Sequence, residues 1–275
     1  MSALPCYEVF AIRYATVARK RHENFISSTD PHDGPMPMDY FVWLIRGNGK
    51  CVLVDTGFNQ LTADKRQRQL LRCPIGALEG LEIQAEQLQD VIITHMHYDH
   101  AGNIDLLPSA RFHVQSAEIS FATGRYMLYP PLRHSFNVED VVNIVRGVYQ
   151  QRVVFHDGNS ELYPGIELVK VGGHTAGLQV VRVHTDRGWI VLASDASHYY
   201  ANLEQDSPFP IVLNVGEMLD GYRTLLNLVP SPDHVIPGHD PLVRQHYPIY
   251  GSEDADIVAL HIPPLMNLGT KHGRC

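Results

Sequence analysis

Residue types that bind metals are concentrated in one short stretch of the sequence, THMHYDHAG, which follows an apolar run. His95, His97, Asp99 and His100 lie within six positions of one another. The H-x-H alternation of an extended segment directs two imidazoles to the same side, and the other two residues come round the next turn. Imidazole and carboxylate suit Zn, Fe, Mn or Ni. A lone histidine is more often a surface or core residue, but this cluster predicts a loop that can serve two adjacent metal ions.

Three later residues extend the candidate ligand set. His174 in KVGGHTAG, Asp195 in WIVLASDAS and His239 in HVIPGHDPL each follow an apolar, strand-like run. A carboxylate at the end of a buried strand is costly unless a cation or a hydrogen-bond donor meets it. We therefore predict that Asp195 lies beside a metal, with the two histidines as further ligands.

The elements that must position these residues are mostly strands, with helices between and after them. Apolar runs bounded by turn residues predict strands at residues 7–15, 40–47, 50–57, 91–94, 110–115, 152–158, 166–173, 178–185, 189–195 and 234–240. Helical patterns cover residues 116–124, 138–150 and 215–229. Because no Gly-, Ser- or Pro-rich linker divides the chain, we predict a single domain over residues 1–275. Residues 125–150 are predicted to be an inserted segment at the substrate rim, and the tail from Gly251 to lie along the surface.

Composition excludes several classes of partner. The net charge of −8 argues against a nucleic-acid partner or an anionic membrane surface. No stretch reaches the roughly 18 apolar residues of a membrane span, and the N-terminus lacks a signal-peptide pattern, so we expect a cytoplasmic protein. The one basic run, KRQRQLLR at residues 65–72, is predicted to be a solvated helix face. A homodimer is left open. The cysteines lie far apart, without a C-x-x-C pair, and are expected to be reduced: Cys6, Cys51, Cys73 and Cys275.

The order and spacing of THMHYDHAGN, GGHT, LASDAS and PGHD resemble the metallo-β-lactamase superfamily, and within it the N-acyl homoserine lactone lactonases most closely. The resemblance implies an α/β fold, an αβ/βα four-layer sandwich of two mixed β-sheets with helices on the outer faces. It implies two divalent metal ions, zinc first, with Fe, Mn, Co or Ni as alternatives. One ion would be held by His95, His97 and His174, the second by Asp99, His100 and His239, with Asp195 bridging them. Asp55 in VLVDTG would orient one of the ligands.

The resemblance also implies a reaction. A hydroxide that bridges the metals would open a lactone ring, as in quorum quenching, and Asp99 would pass a proton to the leaving oxygen. The alternatives are a thioesterase of the glyoxalase II type, another lactone or ester hydrolase, a mononuclear-iron dioxygenase and a non-catalytic binding module. About 36 residues follow His239, which leaves little room for the C-terminal helical domain of glyoxalase II enzymes.

Several features of the sequence bear on the substrate. Relatives of the lactonase type carry a tyrosine shortly after the bridging aspartate, so we predict Tyr199, with His198 as the second choice, as the donor to the substrate carbonyl. Leu178 stands where many relatives carry histidine. Residues 35–45 and 125–136 are rich in Met, Tyr, Phe and Leu and could form an apolar channel for an acyl chain. The Pro130-Pro131 pair favours a shaped rim there over a helix.

Overall fold

The computed structural model describes residues 4–27 and 33–265. Its strands are β1 (Glu8–Val17), β2 (Met38–Gly47), β3 (Lys50–Val54), β4 (Gln69–Leu70), β5 (Asp90–Ile92), β6 (Arg111–Gln115), β7 (Val153–His156), β8 (Ser160–Tyr163), β9 (Ile166–Lys170), β10 (Gln179–Thr185), β11 (Gly188–Ser194), β12 (Val235–Pro237) and β13 (Ile257–Ala259). Its α-helices are α1 (Gln60–Arg66), α2 (Ser116–Ala122), α3 (Pro130–Arg133), α4 (Val138–Tyr149), α5 (Tyr200–Glu204), α6 (Val215–Asn227) and α7 (Leu242–His246).

The strands form two mixed sheets. The first has the order β13-β1-β2-β3-β5-β6-β7, with β4 beside β1, and its β3, β5, β6 and β7 run parallel. The second has the order β12-β11-β10-β9-β8, in which only β11 and β12 pair in parallel. Because β9 and β11 are each antiparallel to β10, the strands β9, β11 and β12 all end at the same edge. Three of the loops predicted to carry ligands therefore meet there.

Side-chain alternation along β2 explains the layers. Phe41, Trp43 and Ile45 belong to an apolar cluster between the two sheets, whereas Tyr40 and Val42 pack into a second cluster on the outer face of the first sheet. A third cluster lies between the second sheet and α6. Four layers result, and the predicted αβ/βα sandwich is confirmed.

Helix α6 is built as its sequence predicts. The side chain of Asn214 accepts hydrogen bonds from the backbone of Gly216 and Glu217 at the helix start. Its buried residues recur at helical spacing and pack on the second sheet: Met218, Gly221, Tyr222 and Leu225. Leu178 is fully buried in the same cluster, so this departure from the lactonase pattern is filled by apolar packing.

Two local predictions are wrong. Pro130 and Pro131 begin the short helix α3, where a missing N–H costs nothing because the first helical N–H groups have no partner in the helix. The tail from Gly251 is not only surface chain, since Ile257–Ala259 forms the buried edge strand β13 against β1. Within the described residues, no helix is long and apolar enough to cross a membrane. Cys6, Cys51 and Cys73 are free thiols, and Cys275 lies outside the described residues.

Candidate metal centre

All seven predicted ligands meet at one edge of the sandwich. His95, His97, Asp99 and His100 lie on the loop after β5, and His174 lies on the loop between β9 and β10. Asp195 directly follows β11, and His239 lies two residues after the end of β12. Every one of these side chains is buried. The strand ends thus bring together residues that are up to 144 positions apart in the sequence.

The ligand atoms fall into two groups. The first ligand group, His95, His97 and His174, has its ring nitrogens 2.8–3.1 Å apart. The second ligand group is Asp99, His100 and His239, whose candidate ligand atoms lie within 4.8 Å of one another.

Asp195 lies between the two ligand groups. Its Oδ2 is 3.2 Å from Nε2 of His174 and 3.7 Å from Nε2 of His95. Its Oδ1 is 3.0 Å from Nε2 of His239 and 3.2 Å from Nε2 of His100. Each carboxylate oxygen therefore faces a different group, which is the arrangement that a bridging ligand needs.

Hydrogen bonds at Nδ1 of the histidine rings determine whether Nε2 carries a proton or a free lone pair. His174 donates from Nδ1 to the carbonyl oxygen of Ile211 at 2.6 Å, and His239 donates from Nδ1 to that of Asp39 at 2.8 Å. A neutral imidazole with its proton on Nδ1 presents a lone pair at Nε2. These lone pairs point at one another or at Asp195, an arrangement that is repulsive unless a cation lies between them.

The surroundings of His100 also indicate that a cation binds between the ligand atoms. Its Nδ1 lies 2.7 Å from Oδ2 of Asp55, while its Nε2 is buried without a hydrogen-bond partner. Although burial acts in the opposite direction, Asp195, Asp55 and Asp99 together raise the pKa of His100 well above its usual value. The carboxylates therefore attract positive charge to this point, and the donor set fits divalent metal ions of the zinc type.

Two histidines of the first ligand group, His95 and His97, have the protonation state that metal binding requires. Burial, reinforced by neighbouring imidazoles, lowers the pKa of His95 and His97 well below the usual histidine value. Burial opposes ionisation of Asp195, but the surrounding histidines, His198 first, hold the pKa of that carboxyl well below its usual value. At neutral pH His95 and His97 are thus neutral imidazoles beside an ionised carboxylate.

The sequence as a whole fits one family. Residues 36–259 match the model of the metallo-beta-lactamase superfamily. The chain belongs to the metallo-beta-lactamase superfamily. This confirms the resemblance seen in the motifs, and membership identifies the chain as a metal-dependent hydrolase. A probable metallo-hydrolase of Mycobacterium tuberculosis is 28% identical over 254 residues, which cover 82% of this chain and 76% of that protein.

Lactonases stand among the similar proteins. An N-acyl homoserine lactonase of a Bacillus species is 28% identical over 136 residues, so the match spans 49% of each chain. A crystal structure of a quorum-quenching N-acyl homoserine lactone lactonase has a TM-score of 0.72 at 20% identity and covers 88% of this chain and 95% of that one. The dizinc quorum-quenching lactonase AidC has a TM-score of 0.69 at 18% identity, with coverages of 87% and 89%. At these identities the two structures establish a shared fold.

Asp55 holds the second ligand group in place. Besides facing His100, its carboxylate accepts hydrogen bonds from the backbone and hydroxyl of Thr94, each at 2.8 Å. Asp55 follows β3 with a φ of 61°, a left-handed conformation that aspartate tolerates better than most residues. The predicted orienting residue thus contacts both a candidate ligand and the start of the ligand loop.

The two candidates for the carbonyl donor occupy different places. Tyr199 is buried, and its hydroxyl donates to the carbonyl oxygen of Pro37 at 3.2 Å, so the structure does not bring it to the metal ligands. His198 does reach them, with Nε2 2.9 Å from Oδ2 of Asp195 and its ring stacked on Phe209. Burial lowers the pKa of His198 to about 3, so the ring is neutral near pH 7. A neutral ring that donates to Asp195 from Nε2 has only an acceptor at Nδ1.

Glu118 is a residue that the sequence analysis missed. It lies in α2 and is fully buried. Oε1 accepts from the backbone N–H of Met96, between two ligands, while Oε2 accepts from the hydroxyl of Thr175 and the N–H of Gly177, beside His174. A Cβ at Gly177 would lie 2.2 Å from the backbone nitrogen of Glu118, so only glycine permits this approach. The sequence held one indication of this role: Glu118 is a charged residue on the same helix face as Phe121 and Ala122, and both of these are buried.

A small cavity of about 50 Å³ opens onto the ligands, and its wall is more polar than predicted. The two segments expected to form an apolar channel contribute Met38, Tyr40, His134 and Ser135. Arg19, Arg66 and Arg68 also line the cavity. The prediction that the basic run forms a solvated face is therefore wrong for Arg66 and Arg68, because the end of α1 and the turn after it face the centre.

A larger groove of about 500 Å³ lies away from the metal ligands. It is lined mainly by one side of α4, including Val142, Val145 and Tyr149. None of the seven ligands borders it. The chemistry belongs to the smaller, polar cavity, since that is where the ionisable groups converge.

Proposed function

We propose that this metal-dependent hydrolase opens lactone rings, with N-acyl homoserine lactones as its substrate class and quorum quenching as the process it serves. The observation that carries the proposal is Asp195, whose two oxygens face separate ligand groups. A carboxylate shared in this way suits a pair of cations, for which we propose zinc. The lactonases among the similar proteins support the choice of substrate.

The residues around the cavity would divide the work of hydrolysis. Two divalent ions, when bound, would activate a water molecule and polarise the ester carbonyl. The water oxygen bonds to the acyl carbon, the ring C–O bond breaks and the ring oxygen takes up a proton. Asp99 lines the cavity and is our candidate for moving that proton. The new carboxylic acid ionises at neutral pH, so one proton is released for each ring opened.

We assign His198 a positioning role on Asp195. Its Nε2–H donates to Oδ2 of the carboxylate, and the face of Phe209 fixes the ring. In this tautomer Nδ1 cannot donate to a substrate oxyanion. Tyr199 is engaged with Pro37, so oxyanion stabilisation falls to the metals in this proposal.

A pH-stat screen of the purified protein tests the function. The panel contains N-acyl homoserine lactones, simple γ- and δ-lactones, aryl esters, glutathione thioesters and a β-lactam, with Asp195→Asn as the inactive control. We expect lactones to be opened with one proton released per ring, and thioesters and β-lactams to react at least tenfold more slowly in kcat/KM. A thioester that exceeds every lactone tenfold would replace this proposal with the thioesterase alternative.

A further inference from the structure

Two guanidinium groups line the cavity that holds the metal ligands. Arg66 and Arg68 come from the end of α1 and the turn after it, and both are partly buried. Within residues 4–27 and 33–265, neither has an ion pair within 4.0 Å, unlike the exposed pair of Arg223 with Asp206 at 2.8 Å. Their charge is thus uncompensated where it is shielded from water.

The two side chains are held in place by neutral groups. Arg66 donates from Nη2 to the carbonyl oxygens of His134 at 3.0 Å and Phe136 at 3.2 Å, and its guanidinium lies 3.8 Å from the ring centre of Tyr98. Arg68 donates from Nε to the hydroxyl of Tyr98 at 3.2 Å and from Nη1 to the carbonyl oxygen of Arg66 at 2.7 Å. Each guanidinium has five N–H donors, so both retain donors for another partner.

The nearby acidic groups do not neutralise this pair. Asp99 is a candidate metal ligand, so a bound cation would compete for its charge. Asp140 is buried, and burial raises its pKa to about 7, which leaves it substantially protonated at neutral pH. Arg19, on the same cavity wall, has Glu23 at 4.0 Å as a weak partner. The side chains that line the cavity include three arginines and two carboxylates, those of Asp99 and Asp195, so the arginines outnumber the carboxylates.

We propose that Arg66 and Arg68 bind an anionic group of the substrate, so that the preferred lactones carry a carboxylate or a phosphate close to the ring. This rests on the lactone-opening reaction proposed above but departs from its substrate class. Because N-acyl homoserine lactones are neutral, the inference predicts that lactones with an anionic group are better substrates than they are. The planar guanidinium fork matches the oxygens of carboxylate and phosphate. In this arrangement the anion would lie at the arginines and the ester carbonyl at the metal ligands, since both sets of side chains line the same cavity.

A matched pair of lactones tests the proposal in the metal-loaded protein. The neutral member is γ-butyrolactone, the charged members carry a carboxylate or a phosphomethyl group on the γ-carbon, and kcat/KM is measured in the pH-stat at low ionic strength. We expect at least a tenfold preference for one charged lactone. Arg68→Gln should lower kcat/KM for it roughly 10–100-fold, the effect of one charged hydrogen bond, and change the neutral lactone less than threefold. Arg68→Lys should restore part of the preference.

Lys65→Gln is the matched control, because it removes one positive charge from the same basic run at an exposed position. It should leave the preference unchanged. If Arg68→Gln lowers kcat/KM equally for charged and neutral lactones, the arginine has a structural role and the inference is overturned. A wild-type protein that does not prefer a charged lactone would also overturn it.

Calorimetric binding of glutarate separates this inference from the proposed function. If no lactone of either kind is opened, the lactonase function fails, but glutarate should still bind the metal-loaded wild type at least tenfold more tightly than Arg68→Gln. Equal affinity in the two proteins would overturn the anion site itself.

Discussion

Glu118→Gln should weaken metal binding at the first ligand group while leaving the fold intact. The glutamate joins the loop of His95 and His97 to the loop of His174 through three hydrogen bonds of 2.6–3.0 Å. Glutamine has one acceptor oxygen and one NH₂ group. Whichever way the amide is turned, its NH₂ faces a backbone N–H, that of Met96 or that of Gly177.

The magnitude follows from that lost acceptor. One buried N–H without a partner costs about 1–3 kcal/mol. Outer residues that hold metal ligands typically affect metal affinity by about 10–100-fold. We therefore expect a loss of that order for the ion held by His95, His97 and His174, and a smaller change at the second ligand group.

Cobalt titration against a chromophoric chelator measures the two affinities separately, because the visible spectrum reports each ion as it binds. Asp55→Asn is the matched counterpart, since Asp55 contacts His100 in the second ligand group, and it should weaken the other binding phase. Circular dichroism and thermal unfolding check that both variants are folded. A folded Glu118→Gln protein that binds both ions as the wild type does, or two variants that weaken the same phase, would refute the positioning role.

Four further substitutions test single side chains. Asp195→Asn should lower both metal affinity and the rate of lactone hydrolysis by at least about 10–100-fold, as measured by elemental analysis and in the pH-stat. Normal metal content in this variant would contradict the position of Asp195 between the two ligand groups. His198→Ala should lower metal affinity. Tyr199→Phe, by contrast, should leave metal content and kcat within twofold of wild type. It should lower the free energy of unfolding by about 1 kcal/mol, because the hydrogen bond to Pro37 is lost. Burial raises the pKa of Asp140 to about 7 in the folded protein, above its unfolded value, so the contribution of this group to stability falls as pH rises from about 4 to 7. In urea unfolding, Asp140→Asn should be about 1–3 kcal/mol more stable than wild type at pH 8 and less so at pH 5. A difference in stability that does not depend on pH would contradict this.

The sequence predicts best where local chemistry decides the structure. The Gly47-Asn48-Gly49 turn joins β2 to β3, with positive φ at all three residues, because glycine and asparagine accept that conformation. The ligand motifs are recognisable since several imidazoles and carboxylates follow apolar strands. The ligands converge at one edge because β9, β11 and β12 all end there. The sequence indicated this arrangement only through the resemblance to the family.

Long-range pairing accounts for what was missed. The three residues of β13 form a strand only because β1 offers them an edge more than 240 positions away. Glu118 gains its role from two loops that approach α2 from distant parts of the chain. Arg66 and Arg68 face the cavity rather than solvent because His134, Phe136 and Tyr98 supply neutral acceptors and a ring. The position of Glu118 on a helix face with Phe121 and Ala122 indicates that it is buried, but the partners in these contacts cannot be read from a local pattern in the sequence.

We propose that the centre holds two metal ions joined by the carboxylate of Asp195 and that it carries out hydrolysis. The most direct test of this proposal is to strip the protein with a chelator, add zinc back stepwise and follow lactone opening against equivalents added. We predict that activity rises until two equivalents are bound per chain and then levels off, and that Asp195→Asn shows no such rise. Full activity at one equivalent, or without added metal, would contradict the account.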